Sequence, residues 1–446
     1  MRRSLCLLLV VLLSFAFTAP AFAEDAHEPY GDEPSIAAKG CVVYEYNSHE
    51  LLYSKGADTR LYPASTTKIM TALLLLEYGH LTEVVTCSQP AISTVPAGSS
   101  IAGLKTGEEM SLYDLLICLL VPSGNDAANV IAEAVGGTIP DFIKLMNRRA
   151  KELGCTGTNF VNAHGYHDDE HYTTADDMLK ITLAAMDYPV FVEICGMARA
   201  SVPATNKARE RSFNSTNFMI SNTETSAYLY SFCTGGKTGS TSQAGNCFVG
   251  FAKKGDLYLV SVMLGSRTDY TRSGVRQIRS FLDTEKLFDW GFSKFSYRTV
   301  VSAADPVAEV RVALSDDKDY VVLKPDHDVR SLLHRSVSES IFTTSIKLDD
   351  EVSAPVYRGD VLGRMAVYKD GELIDTVRLL ATEDVARSQT LYILQEVRRI
   401  FHEPWMRWVL LGAAGVFVLY IVFMILDNRR RQKKLAMRRR HAGPRR

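Results

Sequence analysis

A serine three residues ahead of a lysine, in Ser65-Thr66-Thr67-Lys68, is the stretch of this sequence with the clearest capacity for chemistry. Pro63 suits a helix start, and the run 69–76 carries strong helix formers until Gly79 ends it. Three residues apart on a helix, Ser65 and Lys68 share a face, so an amine lies within reach of a hydroxyl. A serine is a poor nucleophile at its free pKa and needs a base. A buried lysine with a depressed pKa can act as one. The helix N-terminus adds backbone N–H groups and positive potential where an oxyanion would form. Taken alone, the tetrapeptide also fits a helix cap followed by an ordinary lysine.

Two more triplets follow it in order, Ser123-Gly124-Asn125 and Lys237-Thr238-Gly239. Each is weak singly. In this order they match the set Ser-x-x-Lys, Ser-Asp-Asn and Lys-Thr-Gly, with Gly124 in place of the aspartate. On these residues the sequence resembles the low-molecular-weight penicillin-binding proteins, serine-type D-alanyl-D-alanine carboxypeptidases of the peptidase S11 family. The resemblance covers about 37–292 and, more loosely, 300–385. It takes in Asn162-Ala163-His164-Gly165, Tyr172-Thr173-Thr174-Ala175-Asp176-Asp177-Met178 and Glu285-Lys286-Leu287.

The resemblance implies roles. Ser65 is the nucleophile of an acyl-enzyme and Lys68 its base. Ser123 relays a proton to the leaving amine, and Asn125 fixes Lys68 and the substrate amide. Lys237 and Thr238 grip the terminal carboxylate, Gly239 lets the substrate backbone approach the strand, and Thr241 supplies a further hydroxyl. Backbone N–H groups of Ser65 and Ser240 form the oxyanion hole. The family uses no metal and no cofactor. Its substrates are peptidoglycan stem peptides ending in D-Ala-D-Ala, and β-lactams inhibit it.

A second Lys-Thr-Gly, Lys105-Thr106-Gly107, precedes Ser123 and so has the wrong order. Gly236-Lys237-Thr238 resembles the end of a phosphate-binding loop, but that motif needs glycine at 231, where Ser231 stands. His164, His167 and His171, with Asp168, Asp169 and Glu170 between them, have a metal-ligand composition, yet His164-Gly165 belongs to the resemblance. No Gly-x-Ser-x-Gly occurs, which weakens a Ser-His-Asp hydrolase. Arg267, Arg272, Arg276 and Arg279 cluster where relatives place a carboxylate-binding arginine, and the sequence does not choose among them.

A chain of 446 residues exceeds one compact core, so two or three domains are expected. The net charge of -1 hides an asymmetry. Of 50 basic residues, ten follow Leu426 and two lie in the leader, which leaves 38 against 50 acidic residues in 24–426. An acidic body argues against a nucleic-acid partner, and a basic tail suits a membrane surface. Cys6 lies in the leader; the other seven of the eight cysteines are scattered, which supports neither a zinc ribbon nor a dense disulfide framework. Cys118 reads as buried packing, and Cys233 lies four residues before Lys237.

The chain begins with a basic Met1-Arg2-Arg3, an apolar run 5–17 and a small-x-small site, Ala21-Phe22-Ala23, which together predict a signal peptide over 1–23. A catalytic domain is expected over 34–293. Strands at 41–46 and 51–53 form a hairpin. A capping box at Ser111-Leu112-Tyr113-Asp114 opens a helix over 112–120. Asn125 starts a helix that ends at Gly136-Gly137, and another covers 141–153. Three late strands lie around Lys237, at 247–252 and at 257–264, before a closing helix over 284–291. Strands at both ends around a helical middle predict an α+β domain, an antiparallel sheet with a helical insert; the resemblance implies a β-lactamase/transpeptidase-like architecture with the site between the two.

Short alternating segments at 307–312, 320–323, 345–348, 361–367 and 373–380, with a Lys369-Asp370-Gly371 turn, predict a small all-β domain over 298–386. A juxtamembrane helix is expected over 388–407, with Trp405 and Trp408 as interfacial anchors. The apolar run 409–426 has the length of a bilayer span, and the basic tail 427–446 would lie in the cytoplasm. The expected protein is a carboxypeptidase on the outer face of a bacterial membrane, held by a single C-terminal anchor. A β-lactamase of the same fold is disfavoured by the anchor and the β domain, and a dead peptidoglycan-binding module by the intact Ser65, Lys68, Ser123 and Lys237.

Overall fold

A computed structural model describes residues 30–441. The signal peptide expected over 1–23 and the last five residues of the tail lie outside the described residues. Two compact units result, one running to Tyr297 and including Leu332–Val337, the other made of Arg298–Ser331 and the chain from Ser338 onward.

The first unit is built on a five-stranded antiparallel sheet. Its strand order is Glu50–Lys55, Gly40–Glu45, Leu257–Ser266, Gly245–Lys254 and Cys233–Thr241. Both faces are covered, as the alternation along the strands requires. Val42, Tyr44, Val249, Phe251, Val260 and Val262 point into one cluster with the helices Lys68–Tyr78, Leu112–Leu120, Asn125–Gly136 and Ala175–Met186. Cys41, Val43, Phe248, Leu259 and Met263 point the other way, onto the helix Arg279–Lys294.

The edge strand Cys233–Thr241 therefore comes from late in the chain, while the first helix of the opposite layer carries the early motif. Tertiary folding brings together segments about 170 residues apart in sequence, on the order expected for non-local β topology.

Ser111 caps its helix as the sequence predicts, accepting the Asp114 N–H at 3.1 Å. The closing helix is longer than 284–291 and spans Arg279–Lys294. Its first turn has no side-chain cap, so the usual start signal is missing; an Arg279–Asp283 ion pair at 2.7 Å supports that turn instead.

In the second unit a six-stranded sheet has the order Phe342–Leu348, Val361–Lys369, Glu372–Ala381, Tyr320–Pro325, Ala308–Ala313 and Glu351–Ser353. Val310, Val321, Leu323, Val367, Val377 and Leu379 fill its core. The expected hairpin turn has Asp370 and Gly371 both at positive φ, 50° and 87°. Helices Gln389–His402 and Pro404–His441 follow. Within the latter, Pro404–Leu435 is long and apolar enough to cross a membrane and none of its most apolar stretch is buried.

Candidate active site

Ser65 sits in a single 3-10 turn, Ala64–Thr67, that runs into the helix Lys68–Tyr78. Pro63 is the cap, so the first N–H groups of the turn have no acceptor within the helix. Ala64 is forced to φ 49°, and a side chain at Gly165 would put its Cβ 1.8 Å from the Ala64 carbonyl oxygen. The Asn162-Ala163-His164-Gly165 stretch thus presses against the serine turn, and only glycine fits at its end.

Lys68 is fully buried. Its Nζ lies 2.6 Å from Asn125 Oδ1, 2.8 Å from the His164 carbonyl and 3.0 Å from Ser65 Oγ. Burial first, and the neighbouring Lys237 charge second, push its pKa well below the usual lysine value, while Asp126 opposes the shift. Asn125 Oδ1 and the His164 carbonyl are the two shorter contacts and Ser65 Oγ the longest, so an amine that gives its two protons to the shorter pair would turn its lone pair to the serine, the arrangement general-base chemistry needs.

Ser123 stands at φ 64°, a conformation a non-glycine residue holds only when its surroundings impose it. The imposition is visible. Gly124 N–H donates to Cys118 O at 2.9 Å and Asn125 N–H to Ser100 O at 2.8 Å. The buried Asp126 carboxylate accepts from Ala102 N at 2.8 Å, Leu104 N at 2.9 Å and Ala127 N at 3.0 Å. A Cβ on Gly124 would stand 2.8 Å from Asp126 Oδ1. The Cys118 carbonyl is as close, also at 2.8 Å, so this carboxylate and that backbone oxygen together occupy the space of a side chain at the middle of the triplet.

Lys237, also buried, donates to Ser123 Oγ at 2.9 Å and to the Thr238 carbonyl at 3.1 Å. Burial lowers its pKa to about 8. Thr238 Oγ1 lies 2.5 Å from Thr216 Oγ1. Gly239 has a reason beside the substrate approach expected from sequence: a Cβ there would meet Pro63 O at 2.8 Å, Ser65 N at 2.9 Å and Thr66 N at 3.0 Å, so the serine turn itself comes close. Ser240, next along the strand, is exposed. Thr241 Oγ1 accepts the Ala244 N–H at 3.0 Å and so braces the turn to the next strand.

Ser65, Lys68 and Asn125 therefore form one bonded group and Ser123 with Lys237 a second, the two joined through the Ser123–Asn125 turn, with the Lys237–Gly239 strand against the serine turn. The His164 carbonyl belongs to the first group and was missed as a functional atom by sequence reasoning, because a backbone oxygen has no residue-type signal. The other candidates fall elsewhere. His164 Nδ1 accepts Tyr166 N–H at 3.1 Å, and burial pushes its pKa down to about 3. His171 Nδ1 accepts Val161 N–H at 3.1 Å, its Nε2 lies 2.8 Å from Thr67 Oγ1, and burial pushes its pKa down to about 4. Their ring nitrogens serve separate hydrogen bonds, and no group of three metal-ligating side chains lies together among the described residues.

Arg279 is committed to Asp283, while Arg267, Arg272 and Arg276 are exposed on or beside the hairpin Thr268–Tyr270/Arg276–Ile278. Glu108 is buried against Arg211, Thr205 and the Lys105 N–H; burial would raise its pKa, but these partners override that and hold it ionised. Glu109 and Glu170 are exposed. All seven described cysteines are free thiols.

Comparison with known proteins gives one answer. The profile of D-alanyl-D-alanine carboxypeptidases, peptidase family S11, matches residues 26–268. That of the C-terminal domain of penicillin-binding protein 5 matches 295–387. The chain is 30% identical over 400 residues to D-alanyl-D-alanine carboxypeptidase DacF of Bacillus subtilis, covering 89% of this chain and 97% of that protein. It is 32% identical over 383 residues to D-alanyl-D-alanine carboxypeptidase DacC of Escherichia coli, covering 83% and 89%. The crystal structure of penicillin-binding protein 5 from Haemophilus influenzae matches with a TM-score of 0.56 at 30% identity, over 79% of this chain and 99% of that one.

Proposed function

The chain belongs to the peptidase S11 family of D-alanyl-D-alanine carboxypeptidases, and from that premise we propose that its chemistry runs through a Ser65 acyl-enzyme on peptidoglycan stem peptides ending in D-Ala-D-Ala. The enzyme class is that of its relatives, a penicillin-binding hydrolase of the cell wall. The single observation that carries the assignment of residues is the buried Lys68 amine, bonded to Asn125 Oδ1 and the His164 carbonyl and lying 3.0 Å from Ser65 Oγ.

Ser65 attacks the penultimate carbonyl, and Lys68 takes its proton. The Ser65 and Ser240 N–H groups stabilise the oxyanion, a contribution worth about 3 kcal/mol per donor in comparable sites. Ser123 passes a proton to the departing D-alanine amine, with Lys237 beside it at 2.9 Å. Lys237 holds the terminal carboxylate as a charge, and Thr238 and Thr241 contribute hydroxyl donors. Asn125 orients Lys68 and the substrate amide. Water then cleaves the ester. Neither a metal nor a cofactor enters this scheme.

β-Lactams mimic the D-Ala-D-Ala end, and the ring-opened amine stays tethered where water must arrive. Class A β-lactamases use an extra carboxylate for deacylation. Here Glu108 is tied to Arg211 and Thr205, and Glu109 and Glu170 are exposed. The penicilloyl ester on Ser65 is therefore expected to be long-lived. Intact-mass spectrometry of the penicillin-treated full chain tests this: a persistent adduct, absent in Ser65→Ala, with D-alanine released from pentapeptide. Rapid penicillin turnover without an adduct would indicate a β-lactamase, and an adduct on another serine would overturn the assignment.

The domain limits proposed are 1–23 for the signal peptide, 34–293 for catalysis, 298–386 for the β domain, 388–407 for the juxtamembrane helix, 409–426 for the span and 427–446 for the tail. A profile match over 295–387 supports the β domain, one over 26–268 supports most of the catalytic domain, and the exposed apolar helix supports the span. The catalytic domain then lies on the outer face and the tail inside. Protease added to wall-stripped cells should release the catalytic domain and spare a tag at the C-terminus; loss of the tag would reverse the topology.

A further inference from the structure

Thr216 stands outside all three motifs and touches one of them. Its hydroxyl lies 2.5 Å from that of Thr238. Its N–H donates to Val121 O at 3.4 Å, two residues before Ser123. It is thus a second link between the Ser123 turn and the Lys237–Gly239 strand, beside the Lys237–Ser123 bond. The backbone on either side is pinned: Ser215 N–H donates to Ala198 O at 2.9 Å, and the buried Asn217 side chain accepts Met219 N–H at 2.9 Å.

A hydroxyl has one proton and two lone pairs. Along the line between the two threonines only one can donate. When Thr238 donates to Thr216, it has no proton left for a ligand. When Thr216 donates, the Thr238 proton is free to turn outward. An anion in front of Thr238 favours the second state, because the chain Thr216 O–H to Thr238 O–H to carboxylate aligns both dipoles on the charge and each bond strengthens the next.

We propose that Thr216 is a positioning residue for substrate recognition: its hydroxyl donates to Thr238 and so aims the Thr238 hydroxyl at the terminal carboxylate of the D-Ala-D-Ala substrate. The proposal rests on the reading of Thr238 as a carboxylate donor. Lys237 supplies charge without direction, since an ammonium is a point charge. The directional part of the recognition falls to the threonine pair.

The test compares two activated substrates, an N-acyl-D-alanyl thioglycolate and its methyl ester, which lacks the carboxylate. The full chain is assayed in detergent as the parent and as Thr216→Val, Thr216→Ser and Thr238→Val. Thr216→Val keeps the shape of the side chain and loses the hydroxyl. It should lower kcat/KM for the free acid about threefold to tenfold, the range of one indirect hydrogen bond to an anion, mainly through KM. The methyl ester should be unaffected, and Thr216→Ser should restore the free acid. An equal loss on both substrates, or no loss on either, would overturn the proposal. The Thr238→Val arm separates the two readings. If it selectively impairs the free acid while Thr216→Val does not, only the role of Thr216 fails. If it shows no selectivity, the reading of Thr238 fails and this one with it.

Discussion

Lys-Thr-Gly occurs twice in this chain, and the two copies share nothing but their letters. Lys237-Thr238-Gly239 lies on the edge strand Cys233–Thr241, with its lysine buried and bonded to Ser123. Lys105-Thr106-Gly107 lies in a turn, where Lys105 is exposed and its Nζ donates to Lys207 O at 3.2 Å. Gly239 faces the backbone of the serine turn at 2.8–3.0 Å; Gly107 is at φ 77° with only the flexible end of Lys207 near its missing Cβ. Burial is what turns a tripeptide into chemistry. It lowers the Lys237 pKa to about 8 and brings a second motif into bonding distance.

The largest effect belongs to the group the strand copy serves. Ser65→Ala should lower D-alanine release by roughly 10⁴-fold or more, as loss of a nucleophile does elsewhere. Its thermal midpoint should remain near that of the parent, because Ser65 is only half-buried. Residual activity within tenfold of the parent would mean that the strand copy sits beside a decoy.

Next come the two glycines. Gly239→Ala puts a methyl group against Pro63 O, Ser65 N and Thr66 N. Overpacking of this kind costs about 1–3 kcal/mol, and a displaced nucleophile costs on the order of 10²-fold in rate. Gly107→Ala meets only the flexible end of Lys207, at ordinary contact distance, but must hold a left-handed backbone, at a cost of about 1 kcal/mol in stability and none in rate. Steady-state kinetics beside thermal melts should therefore separate the pair. Equal losses of rate would erase the distinction.

Lys237→Ala should lower kcat/KM by about tenfold to a hundredfold, the value of a hydrogen bond to a charged group. The sign of its pH dependence follows from the lowered pKa. Only the protonated amine holds a carboxylate, so this contribution is complete below about pH 8 and declines as pH rises through it. The gap between parent and variant should narrow above pH 8. A lysine base works only when neutral, and the burial that lowers the Lys68 pKa extends that form to lower pH than an ordinary lysine would allow. A gap that widened with pH would contradict the carboxylate role.

Much of this was legible in the sequence where local signals and tertiary demands agree. The Ser111 cap, the Asn125 helix start, the Asp370-Gly371 turn and the alternating strands of the β domain are such places. The helix Ala175–Met186 had a start signal in the sequence, since Thr174 caps it by accepting Asp177 N–H at 3.0 Å, but that signal lies inside a stretch whose family likeness masks it. The hairpins Arg199–Val202/Arg211–Asn214 and Thr268–Tyr270/Arg276–Ile278 have strands of three or four residues, too short to show a usable period in the sequence. In the site, side chains with a chemical type were found. The His164 carbonyl, the Asp126 carboxylate behind Gly124 and the Thr216 hydroxyl were not, since their parts come from where the backbone carries them.

The smallest effect is the most exacting for the comparison. Lys105→Ala removes an exposed side chain whose amine donates to Lys207 O at the surface. Such surface changes shift stability by about 0.5 kcal/mol or less. The loop does not depend on that amine. Glu108 anchors it to Arg211 and Thr205, Asn206 Nδ2 donates to Gly107 O at 3.0 Å, and Gly107 N–H donates to Cys87 O at 2.8 Å. Lys105→Ala should thus leave kcat, KM and the rate of penicilloylation within about twofold of the parent, at every pH where Lys237→Ala is impaired. If the Lys105 variant proved the worse of the two, the carboxylate grip would belong to the turn, and the burial of Lys237 would need another explanation.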